Sequence, residues 1–145
     1  MKAVLQRVKK GSVSVGGNTI GQIEQGLVIL LGVGPDDTQD NAQKLSQKLV
    51  DLRIFEDDQG KMNLSLIDIE GEALVIPQFT LFADTRRGNR PSFTDAGPPA
   101  MAKPLAEYFA ECLRKHNITT KEGEFGAHML VEIHNDGPVT ITLEV

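Results

Sequence analysis

The chain has 145 residues, most economically one domain, and that length buries enough surface for one real core. Its hydrophobic fraction of 40% and charged fraction of 24% exclude a fibrous or disordered chain, and a formal net charge of −5 argues against a protein that coats nucleic acid. The single cysteine, Cys112, excludes an internal disulfide and a multi-cysteine zinc site, and no apolar run approaches the ~18 residues of a membrane span.

Met1-Lys2-Ala3-Val4 leads straight into a strand pattern, without the basic, apolar and cleavage regions of a secretory leader. With one cysteine, this points to the reducing cytoplasm. Val4, Val8, Val13 and Val15 alternate imperfectly with polar residues and predict a first strand. Gly16-Gly17-Asn18 is a hairpin signal, because these residues accept positive φ. The partner strand starts near Thr19 and ends in the apolar run Leu27 to Val33. Leu27-Val28-Ile29-Leu30-Leu31 is continuous rather than alternating, so both its faces are expected to be covered.

Asp36, Asp37 and Thr38 supply start signals for a helix whose apolar face carries Ala42, Leu45, Leu49 and Leu52. Ala73-Leu74-Val75-Ile76 reads as a buried strand running into Pro77-Gln78-Phe79-Thr80-Leu81-Phe82. A second helix carries Ala102, Leu105, Phe109, Cys112 and Leu113 on one face, with Pro104 expected in its first turn. Met129, Val131 and Ile133 then alternate with Leu130, Glu132 and His134, and Val139, Ile141 and Leu143 predict a further, final strand. Strands, helix, strands, helix, strands, without repeat or linker, predict an α+β fold around a curved sheet, one domain over 1–145.

Much familiar chemistry is missing. The chain has no Gly-x-Ser-x-Gly, His-Glu-x-x-His or Cys-x-x-Cys. His128, Glu132 and His134 share a strand face, but it is the face opposite the apolar residues, so a solvated face is expected rather than a metal site. Leu31-Gly32-Val33-Gly34-Pro35 lacks the third glycine and the lysine of phosphate loops and reads as a plain strand-to-helix turn. Cys112 belongs to the helix core face. Lys9 and Lys10 read as surface charge, whereas Arg86, Arg87 and Arg90 lie in a Gly-, Asn- and Pro-containing loop and are candidates for substrate phosphates.

Two segments stand out because buried strands have no need of them. One is Pro77-Gln78-Phe79-Thr80-Leu81-Phe82; the other is Asn135-Asp136-Gly137-Pro138-Val139-Thr140. In an extended chain Gln78 and Thr80 share one face and Phe79 packs beneath, leaving Gln78 and backbone N–H groups to line a pocket. A threonine hydroxyl is a poor nucleophile without a base, and nothing nearby in the sequence names one.

This pair of segments resembles the signature of the D-aminoacyl-tRNA deacylases (D-tyrosyl-tRNA(Tyr) deacylases), Ser-Gln-x-Thr-Leu and Asn-x-Gly-Pro-Val-Thr. Gln6-Arg7-Val8, Lys61-Met62-Asn63-Leu64, Arg90-Pro91-Ser92-Phe93 and Phe125-Gly126-Ala127 extend the resemblance from end to end. It implies a barrel-like mixed sheet with two main helices, in a cytoplasmic homodimer that uses no cofactor or metal. The implied reaction is hydrolysis of the ester at the acceptor end of D-aminoacyl-tRNA, and of glycyl-tRNA mischarged on tRNA(Ala). Gln78, Phe79 and Thr80 would form the reacting site, with backbone donors on the oxyanion and help from the tRNA 2′-OH; Thr80 as nucleophile is the alternative. Gly137 and Pro138 would form a chiral filter that excludes L side chains by main-chain oxygens. Arg7 would brace the filter, with Asn135 and Pro77 also in the substrate-binding set. Pro77 departs from the usual serine and matches a related branch that tolerates small L residues. An editing deacylase for small L-amino acids and a non-catalytic tRNA-end binding module therefore remain as rival readings.

Overall fold

The N-terminal valine pattern forms one long strand, β1 (Lys2–Val15), in a computed structural model that describes every residue from Met1 to Val145. Gly16 and Gly17, with φ of 56° and 83°, turn the chain into β2 (Asn18–Ile23), which returns along β1 with Val15 opposite Asn18. The expected single partner strand is broken after Ile23. Its apolar half is a separate strand, β3 (Gly26–Gly32), pairing with the first part of β1, from Lys2 to Val8. One edge of β1 thus carries β2 and β3 in tandem.

The other edge carries β8 (Met129–Glu144), antiparallel to β1 almost throughout. Two strands were expected in this region, but Asn135–Pro138 interrupts the ladder without ending the strand. Beyond β3 the sheet continues in parallel through β6 (Glu72–Pro77) and β7 (Thr119–Glu122). Strand β7 is short and largely polar, with only Thr120 buried, and shows no readable apolar alternation. The sheet curls until β2 meets β6 and β7, and Gly21 lies against Leu74 and the Glu122 carbonyl. The result is a mixed sheet nearly closed into a barrel. A separate hairpin pairs β4 (Phe55–Glu56) with β5 (Met62–Leu64).

Crossovers between parallel strands carry the helices. Helix α1 (Gln39–Val50) starts after Thr38, whose N–H donates to Asn41 Oδ1 at 2.9 Å, and buries Ala42, Leu45 and Leu49 as expected. Leu52 lies just beyond its end. Asp37 does not face the helix dipole. It turns back to accept from the Gly34 N–H at 2.6 Å and pairs with the Met1 ammonium at 2.5 Å. Helix α2 (Pro99–Lys115) begins earlier than its apolar pattern suggests, because Pro98 and Pro99 preset the backbone where no donor is needed. Pro104 consequently falls in the second turn, not the first, and removes one helical hydrogen bond.

The continuous run in β3 is covered on both faces, as its pattern predicts. Leu27, Ile29 and Leu31 join α1 and α2 in the larger core, while Val28 joins Val8, Val13, Ile23, Leu74 and Ile76 inside the curl. No helix is long and apolar enough to cross a membrane. Phe109 is the largest fully buried side chain in α2. Phe109→Ala is expected to lower unfolding free energy by about 3–5 kcal/mol in urea titrations; a loss below about 1 kcal/mol would mean the helix layer repacks freely.

Candidate active site

Strands β3 and β6 run in parallel and stop together, with Leu31 opposite Pro77. The last bond of this ladder is the Gln78 N–H donating to the Leu31 carbonyl at 2.7 Å. Past it the chain winds into a short 3₁₀ turn, Phe79–Phe82. Phe82 packs against Gly32 and Gly34, where an added Cβ would lie 3.0 and 3.1 Å from its ring. This close approach accounts for the glycines of Leu31–Pro35 without any phosphate loop. Pro77 costs the sheet no bond either: β6 pairs with β7 only through Val75, so the missing N–H faces beyond the end of β7.

A cavity of about 660 Å³ opens at this strand end. Pro77, Gln78 and Phe79 form one wall; Phe93 and Ala96–Pro99 form a second; Phe125–Met129 close it. The lining is mostly apolar, and His128 is its only titratable side chain. Phe79 and Phe93 meet edge to face at the rim, ring centroids 5.1 Å apart.

Phe79 therefore does not pack beneath the strand. It is 58% exposed, because the ladder has ended and no neighbouring strand holds residues 78–80 extended. Gln78 and Thr80 do stay together, with the Gln78 carboxamide donating to the Thr80 hydroxyl. A carboxamide is no base in either orientation, so the side chain hydrogen-bonded to Thr80 cannot take its proton. The N–H groups of Phe79 and Thr80, first in the 3₁₀ turn, have no partner within that turn.

The second segment sits elsewhere. Two steps along β1, Gln6 to Val8, face five along β8, Asn135 to Thr140. The excess residues form a bulge closed by side chains. Asn135 Oδ1 accepts from the Val139 N–H at 3.0 Å, while Asn135 Nδ2 and the Thr140 hydroxyl both donate to Gln6 Oε1, the latter at 2.6 Å. Arg7 lies beneath at only 4% exposure, Nε donating to the Asp136 carbonyl at 3.0 Å and Nη1 to the Ile54 carbonyl at 2.7 Å. Glu56 and Asp136 carboxylates lie 3.7 Å from its nitrogens. Gly137 has φ 126°, and an added Cβ would sit 2.9 Å from Val139 Cγ2 and 3.0 Å from Arg7 Nη2. The Gly137–Pro138 peptide bond is cis. None of Arg7, Asn135, Gly137 or Pro138 lines the cavity of its own chain.

Asp84 and Ser92 close the arginine loop with paired main-chain bonds of 2.8 and 2.9 Å. The Arg86 guanidinium and N–H hold the Asp84 carboxyl down from 3.8 to about 2. No three His, Cys, Asp or Glu side chains converge as a metal would require; Glu132 instead accepts from the Ser12 hydroxyl at 2.7 Å.

The family model described as D-Tyr-tRNA(Tyr) deacylase matches residues 4–144. The chain belongs to that family. A D-aminoacyl-tRNA deacylase of Fervidobacterium nodosum is 56% identical over 99% of this chain and 97% of its own length. One of Roseiflexus castenholzii is 58% identical over 99% and 92%. A solved structure named as a c-Myc DNA unwinding element binding protein superposes with TM-score 0.93 at 44% identity, covering 100% of this chain and 99% of its own. A probable eukaryotic D-amino acid tRNA deacylase shares the fold alone, at TM-score 0.87 and 16% identity over 99% of this chain and 98% of its own.

Sequence reasoning missed several parts of the site. Phe93 and Phe125–Ala127 carried the family resemblance, yet no local pattern placed them on the cavity wall. Gln6 was likewise part of a motif without an assigned contact.

Two outcomes follow from this geometry. Arg7→Met leaves the Ile54 and Asp136 carbonyls without their donor and is expected to cost about 1–3 kcal/mol in denaturant titrations; stability within about 0.5 kcal/mol of the parent would remove Arg7 as the brace. Since the Asp84 carboxyl is depressed on folding, its pairing with Arg86 is fully present above the unfolded value of 3.8 and lost as pH falls through about 2. Loop amide shifts should therefore hold steady from neutrality to about pH 4 and move only below it.

Proposed function

We propose that this chain hydrolyses the ester joining a D-amino acid to the 3′ end of tRNA, acting in the cytoplasm as a homodimer, with 1–145 as its catalytic domain. The observation that carries the reading is family membership from end to end, over residues 4–144. The cavity beside Gln78 suits it, being apolar, aromatic at its rim and large enough for a nucleoside with an attached amino acid.

In this reading the terminal adenosine enters the cavity and the ester carbonyl faces the N–H groups of Phe79 and Thr80. Water attacks the carbonyl carbon, and both N–H groups stabilise the oxyanion. The intermediate collapses by breaking the bond to the ribose 3′-oxygen, while the adjacent 2′-OH relays a proton from the attacking water to that leaving oxygen. Free amino acid and tRNA result. Gln78 holds Thr80, whose hydroxyl positions rather than attacks. The step assigns no proton transfer to His128, the one titratable side chain of the lining.

Chirality is read by exclusion. Main-chain oxygens of Gly137–Pro138 set beside the substrate Cα leave room for hydrogen but not for an L side chain, and glycine passes. Those residues lie off the cavity of their own chain, and in this reading a second copy supplies the filter. Leu30, Met129, Val131 and Ile133 pack only partly buried against the inner cluster, and Met129 and Val131 also line the cavity. Arg7, Gln6 and Asn135 hold the filter in shape.

The test is single-turnover deacylation of D-tyrosyl-, L-tyrosyl- and glycyl-tRNA(Ala) with EDTA present. The D ester should be lost at least about 100-fold faster than the L ester, with the glycyl ester also cleaved. Equal loss of both chiral esters removes the filter; loss of neither, with L-alanyl-tRNA cleaved instead, selects the small-L branch. Binding without any turnover selects the non-catalytic module. Thr80→Val and His128→Ala should each keep the D-tyrosyl rate within about tenfold, whereas a fall of about 10³ or more marks that side chain as chemical.

A further inference from the structure

We infer that Arg87 and Arg90 grip backbone phosphates of the single-stranded nucleotides leading into the cavity, and that Arg86 does not. This rests on the acceptor-end reading above. The sequence presents three equivalent arginines in one loop, and the structure separates them.

Arg86 is spoken for. Its Nε and Nη2 each lie 2.8 Å from an Asp84 carboxylate oxygen, and Asp95 adds negative charge nearby. This pair spans the base of the loop, where Asp84 bridges Ser92. A guanidinium so engaged keeps three of its five N–H donors, but its Nε–Nη2 edge is taken and its charge is already balanced by a carboxylate. Arg87 and Arg90 are exposed, and no carboxylate lies within 4.0 Å of either. Gly88 between them, at φ 73°, turns the loop tip.

Position supplies the second argument. Phe93 and Thr94 follow the bridge immediately and line the cavity, so the loop rises from the cavity rim. Two uncompensated guanidinia beside an apolar pocket, on a chain of net charge −5, suit a ligand with an aromatic end and an anionic tail. The arginine fork matches phosphate oxygens in a bidentate fashion, and such contacts fix register without reading bases. With a net charge of −5 the chain carries no broad cationic coat, so this loop is a local contact rather than part of an extended one.

The experiment compares the unaltered protein with Arg87→Gln/Arg90→Gln and with Arg86→Gln, on D-tyrosyl-tRNA and on D-tyrosyl-adenosine, which lacks every upstream phosphate. Single-turnover rates are taken against protein concentration between about 50 and 200 mM salt. The double variant should raise half-saturation on the tRNA about tenfold with its maximal rate unchanged. Its log–log salt slope should fall by about 1.4, two single-strand phosphate contacts, and D-tyrosyl-adenosine should be cleaved as before. Arg86→Gln should leave the salt slope alone. An unchanged slope in the double variant overturns the inference, as does equal loss on both substrates, which would mean the loop only shapes the cavity. If the unaltered protein cleaves neither ester, the acceptor-end reading falls and this inference with it; cleavage of both by the unaltered protein isolates the arginine question.

Discussion

The site depends on where one parallel ladder ends. As long as β3 and β6 pair, their backbone groups are consumed by each other; after the Leu31–Gln78 bond they are not. Two amides at that point have no partner in the turn that follows, and the cavity opens beyond the carboxyl ends of both strands. Open parallel sheets commonly place their ligands there for the same reason: backbone polarity is available and helices wall the space. Everything else positions this end. Gly32 and Gly34 let Phe82 close over β3, and α2 begins at the proline pair that lines the opposite wall.

A second backbone feature is built by a different device. The bulge at Asn135–Val139 sits in the middle of a long antiparallel pair, where three extra residues would ordinarily slip the register. Side chains hold it instead: Gln6 takes two donors, Asn135 bridges to Val139, and a buried Arg7 spends its donors on carbonyls from two separate elements. Both features present main chain rather than side chain. A main-chain surface cannot be relaxed by one side-chain substitution.

Electrostatics follow the same economy. The chain is acidic overall, and its arginines are divided between bracing and exposure. Arg7 is enclosed by acceptors, Arg86 is held by Asp84, and Arg114 reaches Glu122 at 2.5 Å. Arg87 and Arg90 are left facing solvent at the cavity rim.

What could be read from the sequence alone was whatever neighbours along the chain decide. The Gly16-Gly17 turn, the start of α1 at Thr38, the double-faced burial of β3 and the apolar face of α2 are set by periodicity and local backbone preference. The motif strings named the family, and with it the curved mixed sheet, because they are matched as words without reference to geometry. Tertiary structure alone decided the rest. Phe79 faces outward because a strand fifty residues away in sequence stops pairing; β8 stays one strand because β1 spans its bulge; Pro104 lies in the second turn because Pro98 and Pro99 start the helix early. Gln6 and Asn135 meet across 129 residues, and only Asp84 makes Arg86 different from Arg87 and Arg90. Such contacts leave no period in the sequence, since what fixes them is the path of the whole chain.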